Sequence, residues 1–150
     1  MGGCLRDILL SQKPKDFDIA TNASPENIKK LFRNCLLIGR RFRLAHIRFG
    51  REIIEVSTFR AQSKKKSFKH RKIATHGMLL RDNVYGTIEE DVWRRDFTMN
   101  ALYYNIADFS LVDYCGGLTD IQNKTVRIIG EPRIRYQEDP VRLLRAIRFA

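Results

Sequence analysis

Asp16-Phe17-Asp18 sets two carboxylates two residues apart, in a stretch (residues 16–20) that reads as a strand. Alternation along a strand points both side chains to one face. Like charges held that close repel unless a cation sits between them. A hard ion such as magnesium suits the gap, since it takes oxygen ligands and leaves positions for substrate phosphates. Taken alone, an Asp-x-Asp pair is better explained as a solvated strand edge or turn, so its meaning depends on its company.

Three further clusters supply that company. Gly2-Gly3 opens a helix expected over residues 4–12, and a glycine pair there lets backbone N–H groups approach a phosphate. Arg6 is placed to reach the same phosphates, although Arg6-Asp7 could equally be a plain surface pair. The run from Glu89 to Asn100 is charged enough to be a solvated helix face. Within it, however, Arg94, Arg95, Asp96 and Asn100 lie close together. Arg95 can hold a triphosphate there, while Asp96 and Asn100 can contact a ribose or the metal. The last cluster is Glu138-Asp139-Pro140-x-Arg142-x-x-Arg145-x-x-Arg148. A spacing of three aligns the arginines along one helical stripe, with Leu144 and Ile147 nearer the opposite face. A carboxylate at the helix start, with a guanidinium one turn later, offers an acceptor and a planar donor. Such a pair can read a nucleobase edge without a template.

The elements that must position these groups follow from spacing. Leu5, Ile8 and Leu9 lie on one side of the first helix, which Pro14 ends. Ser24-Pro25 starts a second helix, with Ser as N-cap and Pro at the first helical position, and its apolar stripe is Ile28, Leu31 and Phe32. Residues 36–49 and 52–59 read as strands turning near Gly50. Gln62 to His76 reads as a basic loop. Residues 87–105 return to helical spacing through Ile88, Val92, Trp93 and Phe97. Residues 111–130 read as short strands and turns around Gly116-Gly117, and Asp139-Pro140 opens a final helix.

Composition narrows the partners. A chain of 150 residues suits one domain, and 43% hydrophobic content can fill a core. With 28 Lys+Arg against 17 Asp+Glu, the net charge of +11 calls for a polyanion. Nucleic acid and nucleotide phosphates lead, ahead of an anionic membrane. Cys4, Cys35 and Cys115 form no Cys-x-x-Cys pair, which argues against a zinc site or a disulfide framework and for reduced thiols in the cytoplasm. No run approaches the ~18 apolar residues of a membrane span. Both ends read as cuts in a longer protein.

In order, Gly-Gly-x-x-Arg-Asp, Asp-x-Asp, Arg-Arg-Asp-x-x-x-Asn and Glu-Asp-x-x-Arg resemble the class II nucleotidyltransferases of the polymerase-beta superfamily. That family includes CCA-adding enzymes and bacterial poly(A) polymerases, and the resemblance covers nearly the whole chain. Leu36 to Ile47 and Gly77 to Asn83 look like the poly(A) polymerase branch. The resemblance implies an α+β fold. A head with a small, mostly antiparallel sheet flanked by helices would span 1–130, lacking its first strand. The start of an all-helical neck would span 131–150.

The resemblance also implies Asp16 and Asp18 as magnesium ligands and Asp96 as third catalytic carboxylate. Glu55 is a rival for that third place, since a neighbouring strand could bring it beside the pair. Asp139 and Arg142 would read adenine. Arg95, Arg145 and Arg148 would hold ribose or phosphates, with Gly2, Gly3, Arg6 and Asn100 completing the nucleotide site. Apart from the resemblance, the charge of the basic loop suggests that Lys64, Lys65, Lys66 and Lys69 touch RNA phosphates, with a plain solvated loop as the alternative. The implied activity is transfer of AMP from ATP to an RNA 3′ end by two-metal phosphoryl transfer, carried out by a monomer. CCA addition to tRNA, or a non-catalytic RNA-binding module, are the alternatives.

Overall fold

Residues 44–58 form the hairpin that their β-branched content implies: β3 (Leu44–Phe49) turns at Gly50 into β4 (Glu52–Thr58). The computed structural model describes residues 1–39, 43–61 and 84–150. The basic segment with Lys64, Lys65, Lys66 and Lys69 lies outside the described residues, as does Gly77 to Asn83. Two more strands complete the sheet, β1 (Asp18–Thr21) and β2 (Cys35–Ile38), in the order β1-β4-β3-β2. β1 runs parallel to β4, and the other two pairings are antiparallel, so the sheet is mixed.

Helix α2 (Pro25–Leu31) covers one face of this sheet. It starts where sequence placed it, with the Ser24 side chain accepting from Asn27 N–H at 3.2 Å. Its Ile28 joins Cys35, Ala45, Ile47 and Val56 in a buried cluster. Leu31 stays exposed instead of extending the stripe. Helix α1 (Gly3–Leu9) contributes buried Cys4, while Leu5 packs against a second part of the core made of Phe97, Met99, Leu102 and Ile121. A third cluster gathers Val92, Ala101, Tyr103 and Ile129.

Helical spacing over 87–105 proves to be only partly helix. α3 (Ile88–Arg94) opens with a complete capping box between Thr87 and Glu90, then stops, and Arg95 is extended. The reason is pairing with a distant segment: Thr98 N–H donates to Arg127 C=O at 3.0 Å and Ile129 N–H to Asp96 C=O at 2.8 Å. That ladder, with burial of Phe97, outweighs the local preference. A 3₁₀ turn (Thr98–Asn100) and a small hairpin, β5 (Tyr103–Tyr104) with β6 (Leu111–Val112), follow.

The expected turn at Gly116-Gly117 is instead the start of α4 (Gly117–Gln122). Asp113 caps it by accepting N–H bonds from Cys115, Gly116, Gly117 and Leu118 at 2.9–3.1 Å. Burial alone would raise the Asp113 carboxyl, but these four donors hold it below its ordinary value. Gly117 is required there, since a Cβ would lie 2.3 Å from Thr98 O. Two helices close the chain, α5 (Pro132–Glu138) and α6 (Val141–Phe149). Leu144 and Ile147 of α6 are exposed, opposite its arginine stripe as the spacing predicts. Among the described residues no helix is long and apolar enough to cross a membrane.

Candidate active site

All four sequence clusters meet in a cavity of about 450 Å³. One wall is the sheet. The parallel register sets Asp18 opposite Glu55, and the antiparallel register sets Glu55 opposite His46, so three titratable residues lie level across β1, β4 and β3. His46 Nε2 lies 3.3 Å from Glu55 Oε1. Asp18 and Glu55 both line the cavity. Asp16 is exposed and outside that lining, because the strand expected over residues 16–20 begins only at Asp18.

The opposite wall is basic. Arg95 sits above Asp91, with Nη2 and Nε at 3.1 and 3.3 Å from Oδ2. Its Nε also donates to the Tyr103 hydroxyl oxygen at 2.6 Å, and Nη1 to Asn100 C=O at 3.3 Å. Tyr103 O–H in turn donates to Asp91 Oδ2, and Arg60 N–H donates to Asp91 Oδ1 at 3.1 Å. Burial pushes the Asp91 carboxyl up, yet Arg95, Tyr103 and Arg94 together hold it below its ordinary value. Burial pushes the Tyr103 phenol up. For Arg95, burial works against the charge, but Tyr103 and Asp91 outweigh it and the pKa rises. Asp91 and Tyr103 were not singled out from sequence. The available signal was the i,i+4 spacing of Asp91 and Arg95.

Arg6 is held from two sides. Its Nε and Nη2 donate to Asp7 Oδ1 at 2.9 and 2.6 Å, and Nη1 to Asn100 Oδ1 at 2.8 Å. Asn100 Nδ2 has no hydrogen-bond partner among the described residues. Gly2 precedes α1 at φ 72°, donates its N–H to Leu102 C=O at 2.9 Å, and passes so near Arg95 that a Cβ would lie 3.5 Å from Nη1. Gly2 and Gly3 line the cavity with Arg6.

Helix α6 supplies the rest of the basic wall. Arg145 Nη1 lies 2.9 Å from Asp96 Oδ2. Oδ1 of the same carboxylate accepts from Phe97 N–H at 2.8 Å. Phe149 acts as a post for three guanidiniums, with Arg148, Arg6 and Arg145 4.8, 5.0 and 5.8 Å from its ring centre. Its ring also meets Phe97 edge-on at 5.7 Å. Arg142 Nη1 donates to Arg135 C=O at 2.7 Å, and Asp139 Oδ1 accepts from Val141 N–H at 3.2 Å. Sequence reasoning missed Phe149 and Arg135.

Among the described residues no three His, Cys, Asp or Glu side chains converge as a ready-made metal cage. The cavity instead offers oxygen donors: Asp18 and Glu55, adjacent through the ladder, and Asp96, whose Oδ2 also faces Arg145. Such a donor set fits a hard divalent cation whose remaining positions are filled by substrate phosphates and water.

A cleft between an acidic sheet edge and an arginine-bearing helix, on a small mixed sheet flanked by helices, is the arrangement of a nucleotidyltransferase head. The chain belongs to the poly A polymerase head domain family, whose description matches residues 1–127. Poly(A) polymerase I of Haemophilus influenzae is 62% identical over 99% of this chain, and that of Salmonella typhi 58% identical over all of it. The CCA-adding enzyme of Bacillus subtilis is 36% identical over 99% of the chain. In each case the aligned region is about a third of the relative, with 33% of the two polymerases and 35% of the CCA-adding enzyme covered. Among solved structures, a Bacillus stearothermophilus CCA-adding enzyme in complex with CTP matches at TM-score 0.79 and 32% identity, over 99% of this chain and 33% of that one.

Proposed function

We propose that this chain is the catalytic head of an enzyme that adds adenylate from ATP to RNA 3′ ends without a template. The observation that carries the reading is the meeting, in one cavity, of the Asp18–Glu55 pair and Asp96 with the arginines of α3 and α6. Identity supports the adenylate branch: 58–62% to the polymerases against 34–36% to the CCA-adding relatives.

In this reading Asp18 holds magnesium together with Asp16 of the same Asp-x-Asp run, and Glu55 or Asp96 supplies the third carboxylate. Magnesium, when bound, would make the RNA 3′-hydroxyl a better nucleophile and neutralise charge on the triphosphate. The chain's own residues do the rest. Arg95, fixed by Asp91 and Tyr103, presents a permanent cation to the triphosphate. Gly2 and Gly3 let the backbone come close to it, and Arg6, Arg145 and Arg148 spread further positive charge along the same side. Asn100 Nδ2 is a free donor for a ribose hydroxyl. Asp139 and Arg142 offer an acceptor and a donor to the adenine edge. Residues 131–150 open the helical region that places the RNA, and the basic segment with Lys64, Lys65, Lys66 and Lys69 contacts its phosphates.

The test is to sequence products formed by the full-length protein on a short RNA with all four nucleotides present. Tails of A alone support the proposal, and a defined CCA end would move the assignment to the tRNA-processing branch.

A further inference from the structure

Arg135 stands outside every motif recognised in the sequence, yet it is one of the buried charged residues among those described, with its side chain 8% exposed. Burying a guanidinium is costly unless its donors find acceptors. Nη2 donates to the backbone carbonyls of Arg94 and Arg95, at 2.9 and 2.5 Å, and Nη1 donates to Glu138 Oε2 at 2.9 Å. Those carbonyls end α3, where the helix dipole favours a cation. Gly130, five residues before it, sits at φ 88°, a backbone conformation that favours glycine.

The same residue faces the nucleotide site through its backbone. Arg142 Nη1 donates to Arg135 C=O at 2.7 Å and lies 3.4 Å from Glu138 Oε2. One residue therefore joins the turn that carries Arg95 and Asp96 to the side chain assigned to the base. Further ties between the last helix and the head, Arg145 on Asp96 and Phe149 on Phe97 and Arg6, lie further along α6. The corner between α5 and α6, where Asp139 and Arg142 sit, is fastened by Arg135.

We propose that Arg135 is a positioning residue for nucleotide choice: by fastening α5 to the last carbonyls of α3, it sets the distance between Arg142 and the phosphate-side residues, and hence which base fits. This rests on the cavity being the ATP site. Structural glue would behave differently. Its loss would lower the use of all nucleotides alike, whereas a displaced Arg142 penalises the base it reads and spares those it does not.

The experiment uses the full-length protein and measures kcat/KM for single additions of ATP and of CTP to a short RNA, together with the unfolding midpoint. In R135M the ATP-to-CTP ratio should fall about tenfold or more. In R135K, which keeps the charge but not the fork, the ratio should be intermediate. Equal losses for ATP and CTP in a folded R135M protein would overturn the inference while leaving the proposed function standing. Should R135M fail to fold, R135K decides, and an unchanged ratio there overturns the inference. Failure of the unsubstituted protein to add any nucleotide would overturn the proposed function and this inference with it.

Discussion

On the acidic side of the cavity, Asp18 and Glu55 face each other because a parallel ladder pairs their backbones. On the basic side, Arg95, Arg142 and Arg145 are placed by side-chain and carbonyl partners rather than by a ladder: Asp91 and Tyr103 for Arg95, the Arg135 carbonyl for Arg142, and Asp96 for Arg145. The difference predicts how each wall fails. A carboxylate on the ladder can be removed without moving its neighbours, since backbone hydrogen bonds hold the strand. A partner on the basic wall cannot be removed without freeing or stranding a buried charge.

The largest effect should come from the acidic wall. Asp18→Ala is expected to lower adenylate incorporation by roughly 10³-fold or more, while the unfolding free energy moves by no more than about 0.5 kcal/mol. A large loss of stability would show that the ladder alone does not hold the wall.

Next comes Asp91→Asn on the basic wall. Asp91 is 3% exposed and bonds Arg95, Tyr103 and the Arg60 amide, so leaving Arg95 buried without its counter-charge should cost about 3–5 kcal/mol of stability. Denaturant unfolding measures it. A cost below about 1 kcal/mol would place Arg95 among ordinary surface cations.

Glu55 and Asp96 then sharpen the contrast between the walls. Glu55→Gln should lower turnover and raise the magnesium concentration needed for half-maximal rate, with little change in melting temperature. Asp96→Asn should lower both turnover and melting temperature, because its carboxylate also pairs with Arg145. If both variants lose rate without losing stability, the division between ladder-held and partner-held groups does not extend to Asp96.

The smallest effect is acid sensitivity. The folded Asp91 carboxyl sits below its ordinary value of 3.8, so it binds fewer protons in the folded than in the unfolded chain over that range. Its stabilisation is complete above that value and is lost as pH falls through the lowered one. The stability gap between the unsubstituted protein and Asp91→Asn should therefore be flat from neutral pH to about 5, then narrow in stronger acid.

Much of this was legible in the sequence because the motifs carry their own local geometry. The capped start of α2 at Ser24-Pro25, the β3–β4 hairpin and the arginine stripe of α6 all follow from spacing. The clusters Gly2-Gly3-Arg6, Arg95-Asp96-Asn100 and Asp139-Arg142-Arg145-Arg148 reach one cavity as expected. What failed depended on register or on long-range pairing. Alternation could not say that the ladder starts at Asp18 and leaves Asp16 outside. Helical spacing could not reveal that residues 96–98 pair with 127–129. Arg135, Tyr103 and Phe149 look like ordinary helix or strand residues until the chain folds and brings their partners to them.

The most direct test of the central claim is incorporation of each of the four labelled nucleotides by the full-length protein and by its Asp18→Ala variant, with and without magnesium. Magnesium-dependent addition of adenylate alone, lost in a variant that melts like the original, is the result expected. Adenylate addition that survives Asp18→Ala, or that proceeds equally well without a divalent cation, would contradict it.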